Sequence, residues 1–308
     1  MHKKRYPGQI VCGYLHTITQ NGYPPDTRQT AAHIRSMADM GFSAIELEGI
    51  GEANIDYLYR HREAIAQEIE SAGCHVPIFC VVLPELASEK NELQRRALES
   101  FDKGCAFAAH IGAEGVLDNG PILPIVKPAG APVKRHYGHA GDLVPSLQWS
   151  SYYRSLADTY RHACRIADRY GLDYHLHPCE GSLIKDTDSF LLFARDVDHA
   201  RLLFNFDTAN QFYFHDHLAA GLLRAIDRIS YIHISDNGGH RVEHLPPGEG
   251  QIDWLVFFET LEKTGYRGRL GIDVGGAESA VDDITAAYIR SAEWLQAQWQ
   301  HDSSISQP

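Results

Sequence analysis

LDYHLHP (172–178), LLFNFDTAN (202–210), ISYIHISD (229–236) and RLGIDVGG (269–276) are the stretches that decide the fold. Each is a short apolar run ending in a side chain that can bind a metal: His175 and His177, Asp207, His233 with Asp236, and Asp273. Apolar runs of this length, bounded by turn residues, read as buried parallel strands. The steps from His175 to Asp207, His233 and Asp273 are 32, 26 and 40 residues, roughly what one helix and its loops need to return to the next strand. If those strands are neighbours in a barrel, their C-terminal ends converge, and imidazoles and carboxylates meet around one point. That is the composition of a divalent-metal site.

The same rhythm runs through the rest of the chain. Strands are expected at 9–16, 42–49, 75–84, 113–120, 172–177, 201–207, 229–235 and 269–274, with amphipathic helices between them. Eight strand–helix units in 308 residues predict a single-domain (β/α)8 barrel, whose active site is built where the strands end. An open doubly wound sheet would call for a Gly-rich phosphate turn after the first strand, and GYLHTITQNG (13–22) is not one. The rhythm breaks at 121–146, where five prolines fall among residues without periodicity. A connection that long predicts a loop over the barrel mouth, carrying Lys134, Arg135, His136 and His139.

Charge narrows the class. With 28 Lys and Arg against 40 Asp and Glu, the formal charge of −12 disfavours sequence-independent nucleic-acid binding, which needs positive surface. The six cysteines form no CxxC pair and read as free thiols. No apolar window approaches a membrane span and no targeting core precedes the first strand, so the expected setting is the cytoplasm, away from membranes.

Alternation along the strands sorts the candidates. His175 and His177 are two apart, so they share a face, with Leu176 on the other. Asp207 closes an apolar run where a carboxylate is costly without a cation or several donors; its bland alternative is a helix N-cap. His233 faces opposite to Ile232 and Ile234, and Asp236 three residues on offers a carboxylate to orient its ring. Asp273 faces opposite to Ile272. Glu46 and Glu48 end the second strand on a shared face, suited to sugar hydroxyls or to an arginine, with solvation as the plain alternative. His16 and Asp118 end the first and fourth strands. With Asn210, Asp236 and Arg241, the residues His16, Glu46 and Glu48 make up the expected substrate-binding set.

On these segments, and on PPGEGQIDWLVFFETLEKTGYRGRLGIDV (246–274), the chain resembles the xylose isomerase-like TIM barrel superfamily in its sugar phosphate isomerase/epimerase branch. The resemblance implies one divalent cation, often manganese, held by Glu, Asp, His and Glu from strands five to eight. Asp207 and His233 match the middle two; His175 stands in place of the first glutamate, His177 is retained two positions on, and Asp273 replaces the last glutamate. Asn210 stands where many relatives carry histidine.

The expected ligands are therefore His175, Asp207, His233 and Asp273, with manganese first and zinc or cobalt as alternatives. The expected base is His177, or His175 if it is not a ligand, with Glu180 next. The implied activity is isomerisation or epimerisation of a sugar or keto-sugar by proton abstraction beside a carbonyl. Aspartate is a methylene shorter than glutamate, and that favours one-sided abstraction. The alternative is thus a lyase or dehydratase, such as a subunit that cleaves C-glycosides by β-elimination from a 3-keto-sugar. A second alternative is an inactive sugar-binding or partner subunit. The expected partners are a small sugar substrate and further copies of the chain, or a second subunit.

Overall fold

In the computed structural model, which describes residues 5–126, 142–277 and 279–305, the apolar runs form a closed parallel barrel. Its strands are β1 (Ile10–Cys12), β2 (Ala44–Ile45 and Leu47–Ile50), β3 (Ile78–Val82), β4 (Gly115–Asp118), β5 (Asp173–Leu176), β6 (Leu202–Asp207), β7 (Tyr231–Ile234) and β8 (Arg269–Ile272). Each pairs in parallel with its sequence neighbour, and β1 pairs with β8. β2 comes in two pieces because it changes partner midway: Ala44–Ile45 pairs with β1, and Leu47–Ile50 with β3. Glu46 lies at the handover, its N–H still donated to Cys12 O at 2.9 Å. The single-domain (β/α)8 barrel expected from the sequence is the fold.

Alternation within the strands builds two apolar layers. Leu202, Phe204 and Phe206 of β6, Ile232 and Ile234 of β7, and Leu270 and Ile272 of β8 join the large core between strands and helices. There Phe204 stacks on Phe190 of helix Thr187–Val197, with ring centroids 4.5 Å apart. A smaller cluster of Val11, Ala44, Ile78, Cys80, Leu117 and Tyr231 fills the barrel interior. Polar side chains occupy the interior above it, so the barrel is a packed plug with a chemical mouth.

The structure departs from the strand-end placements expected for two side chains, His16 and Asp118. β1 ends at Cys12, and His16 belongs to helix Leu15–Asn21 rather than to a strand end. Asp118 does end β4, but it faces the helix layer, where its Oδ2 accepts from Tyr160 (3.3 Å) and Tyr174 (3.1 Å) hydroxyls. The 121–146 insertion is rooted on the segment after β5: Leu183 N donates to Pro121 O at 2.9 Å, and Ile125–Val126 pairs antiparallel with Asp142–Leu143. The expected cover over the mouth, with Lys134, Arg135, His136 and His139, falls on 127–141 and lies outside the described residues.

Gly271 is where the fold makes room for the site. It faces the interior, and a Cβ there would run into the Tyr231 hydroxyl and lie 3.1 Å from His233 Cδ2. With no side chain at 271, Tyr231 reaches across the barrel to Glu46, 2.6 Å from its hydroxyl. Gly271→Ala is expected to cost about 1–3 kcal/mol through overpacking and the lost Tyr231 hydrogen bond, read as a lowered denaturation midpoint.

Candidate active site

Four interior side chains from β6, β7 and the ends of β5 and β8 meet at the C-terminal end of the barrel. His177, Asp207, His233 and Asp273 each offer a ligand atom, and these atoms all lie within 4.8 Å of one another. His177 Nε2 is 3.1 Å from Asp207 Oδ2. His233 Nδ1 is 3.7 Å from both Asp207 Oδ2 and Asp273 Oδ2. All four residues are buried, yet Nδ1 of His177 and Nδ1 of His233 have no hydrogen-bond partner. The buried His233 Nδ1, left without a hydrogen-bond partner between two carboxylates, fits a divalent cation better than a closed hydrogen-bond network.

Each member is held from behind. Asp207 serves twice: Oδ1 accepts from Asn210 N (2.6 Å) and caps helix Thr208–Tyr213, while Oδ2 faces the cluster. Burial would raise the Asp207 carboxyl, but the His177 hydrogen bond and charge, with His244 and His233 nearby, hold it well below the usual carboxylate range. His233 donates from Nε2 to Glu46 Oε1 at 2.8 Å, which turns Nδ1 toward the cluster. Burial opposes a charge on this ring, yet Glu46, Asp273 and Asp207 together push His233 up to about 10. Glu46 also accepts from the Tyr231 hydroxyl and, at Oε2, from Tyr14 N (2.9 Å). Its burial penalty is outweighed by His233, Tyr231 and Tyr14, and its carboxyl stays below the ordinary value.

Several expectations change here. His175 does not belong to the cluster; His177 does. His175 is buried one strand repeat deeper, with Nε2 2.8 Å from Ser230 Oγ and Nδ1 3.2 Å from Val116 O. The reason is stagger. His175 pairs with Leu203, and Asp207 lies four residues beyond that partner, roughly 13 Å along β6 at the usual strand rise.

Asp236 does not orient His233 either; Glu46 does. Asp236 clasps the loop after β7, accepting from Asn237 N, Gly248 N, Ile252 N and Trp254 Nε1 at 2.7–3.1 Å. His16 packs on Tyr288 of the last helix, 3.4 Å from Thr285 Oγ1, and burial pushes it down to about 4. Arg241 is exposed and donates to Glu243 at 3.0 Å, and the backbone N–H of the buried Asn210 donates to the Asp207 cap. Glu180 lies away from the cluster, on the wall of a cavity of about 1390 Å3 formed by the segments after β5, β6 and β7, with Tyr213, His215 and His240.

Two residues gain weight. His244 lies in the irregular loop after β7 and is not among the residues expected from the sequence. Its Nδ1 is 3.0 Å from Ser235 Oγ and 3.4 Å from Asp273 Oδ2. No periodic pattern marks it; only the folded loop brings it to Asp273. Glu48, on the Glu46 face one repeat nearer the mouth, is pushed up to about 8 by burial and by Glu46 and Asp273, against the opposing pull of His233.

A parallel barrel with a buried His2Asp2 group where its strands end, one that could hold a metal ion, has the architecture of a barrel enzyme. The chain belongs to the xylose isomerase-like TIM barrel family, whose model matches residues 34–298. It is 22% identical over 272 residues to L-ribulose-5-phosphate 3-epimerase UlaE of Shigella flexneri, covering 86% of this chain and 88% of that one. In fold it is similar to 3-keto-D-glucoside 4-epimerase YcjR from E. coli (TM-score 0.72, 19% identity, 94% of this chain and 100% of that one). It is also similar to an L-ribulose 3-epimerase (TM-score 0.72, 16% identity, 96% of each chain).

The Glu46–His233 contact has a measurable consequence. Glu46→Gln keeps the side chain's shape and removes the charge that fixes the His233 proton, so divalent-metal affinity should fall about 10–100-fold. Competition with a chromogenic chelator measures it.

Proposed function

We propose that this protein is a metal-dependent sugar isomerase or epimerase that removes and returns a proton on the carbon next to a carbonyl. The observation that carries this is the group His177, Asp207, His233 and Asp273, with two buried nitrogens left without partners. The epimerase names of the relatives support the substrate class. Manganese is the cation we favour, with zinc or cobalt as alternatives for a mixed nitrogen and oxygen set. Bound there, a divalent cation supplies Lewis-acid polarisation of the carbonyl and offsets the negative charge left when the proton departs.

The chain's own residues do the rest. Glu46 and Tyr231 lock the His233 ring, and the cap to Asn210 N fixes Asp207. His175, Ser230 and the apolar cluster beneath close the floor to water, so a sugar is held from the mouth side only. His244 braces Asp273.

A β-eliminating lyase acting on a 3-keto-glycoside is the second reading. The cavity of about 1390 Å3 walled by Glu180, Tyr213 and His240, whose lining does not include the His2Asp2 residues, supports it by offering room for a leaving group, since it exceeds the roughly 300–1,000 Å3 of ordinary ligand pockets. Both readings share the first proton transfer and differ in product.

Two measurements test the proposal. Protein exposed to manganese or zinc should hold close to one equivalent, and His177→Ala and Asp207→Ala should fall below about a tenth of that, whereas His175→Ala keeps its metal and loses only stability. Incubation with ketoses and 3-keto-glycosides in D2O, followed by NMR, should show exchange of the proton beside the carbonyl. An epimer among the products supports the first reading and an unsaturated product the second. A protein that takes up no metal and exchanges no proton is a binding subunit instead.

A further inference from the structure

With His177 among the ligands, the proton-transfer role has no obvious holder, and the interior offers few groups to fill it. Glu46 already accepts three hydrogen bonds, from Tyr231, His233 and Tyr14 N. Asp236 accepts four, and His175 is closed between Ser230 and Val116. Asp118 faces the helices, where it accepts from Tyr160 and Tyr174. Glu48 differs from all of these, because its carboxylate accepts no hydrogen bond among the described residues.

Its direction is fixed by the next residue. A Cβ on Gly49 would meet Ile55, Phe79 and Leu58, so Gly49 faces the helix layer and Glu48 the interior. Glu48 sits two residues beyond Glu46, about 6.6 Å nearer the mouth along the strand, and is partly exposed there. Its wall is β2, while the His2Asp2 group comes from β5 to β8. A sugar lying over that group therefore meets Glu48 from across the interior.

We propose that Glu48 is the acid–base residue of this site, taking the proton from the carbon beside the substrate's carbonyl. The C–H electron pair becomes the double bond of an enediolate, the carbonyl π pair moves onto oxygen, and the proton resides on the Glu48 carboxyl. From there it returns to carbon or exchanges with water. The charged and titratable groups whose fields reach Glu48 are Tyr14, Glu46, Cys80, His233 and Asp273 from the interior and Asp118 from the helix side of β4. Their balance favours the protonated form more than in an exposed glutamate, which suits a group that must both accept and return a proton near neutral pH.

This inference rests on the proposed function, and the experiment separates the two. Parent protein, Glu48→Gln and Glu48→Asp are loaded with manganese and incubated in D2O with the ketose and 3-keto-glycoside panel. If the parent exchanges no proton on any sugar, the functional reading fails, and the role of Glu48 with it. If the parent exchanges, Glu48→Gln should exchange at least about 100-fold more slowly while manganese content and the calorimetric Kd for the sugar stay within about threefold. Glu48→Asp, which retracts the carboxyl by a methylene, should fall between them. Parental exchange by Glu48→Gln overturns the proposal, as does a loss explained by missing manganese or missing sugar binding. Should Glu48→Gln fail to fold, Glu48→Asp decides: an intermediate rate supports the proposal and a parental rate overturns it.

Discussion

The hydrogen bond from His233 Nε2 to Glu46 Oε1 spans the barrel interior and joins residues 187 apart in sequence. It forms only if β2 and β7 face each other at the same depth. Glu46 lies where β2 passes from β1 to β3, so one carboxylate marks the handover of a strand and the tautomer of a ring. Tyr231 adds a second donor from one repeat below His233, and the glycine at 271 on the neighbouring strand is what leaves that donor its path. Closure, small-residue placement and ring orientation are one constraint seen from three sides.

The barrel was legible because a buried parallel strand announces itself locally: an apolar run, a polar end and a glycine-rich turn. Interior and exterior faces were also legible, since alternation alone separates His233 from Ile232 and Ile234 and puts Phe204 in the helix layer. Depth was not. His175 and His177 share a face, and only the stagger of β5 against β6 says which one stands level with Asp207. Nothing within seven residues encodes that stagger. The same blindness hid the partner of His233: Asp236 lies three residues away and looked suited to the role, but the chain turns sharply after Ser235 and spends that carboxylate on its own loop.

Asp207 shows why the two readings of a strand-end carboxylate need not compete. A carboxylate has two oxygens with separate directions. One accepts from the free N–H of Asn210 at the start of helix Thr208–Tyr213, and the other points into the cluster. The cap holds the Asp207 side chain in place, so it would preorganise that carboxylate for a cation. His16 is the opposite case. Its strand-end appearance came from extending β1 four residues too far, and the helix that begins at Leu15 carries it into packing against the last helix.

The electrostatics of the cluster follow from its crowding. Three carboxyl side chains, those of Glu46, Asp207 and Asp273, surround one imidazole, and together they outweigh the burial penalty on its charge. A proton on His233 Nδ1 and a divalent cation would therefore be alternatives for the same ring of acceptors, and uptake of a cation there would displace the proton. Glu46 would keep its hydrogen bond to Nε2 in either case, so the ring would not need to turn for one to replace the other. Glu48 stands outside this arrangement, on the same strand as Glu46 and one repeat above it, within reach of the same field yet accepting no hydrogen bond among the described residues. The field that would steady a cation at the cluster thus also biases the neighbouring carboxyl toward its protonated form, so one set of buried charges would serve both the proposed metal-holding group and the proposed proton carrier.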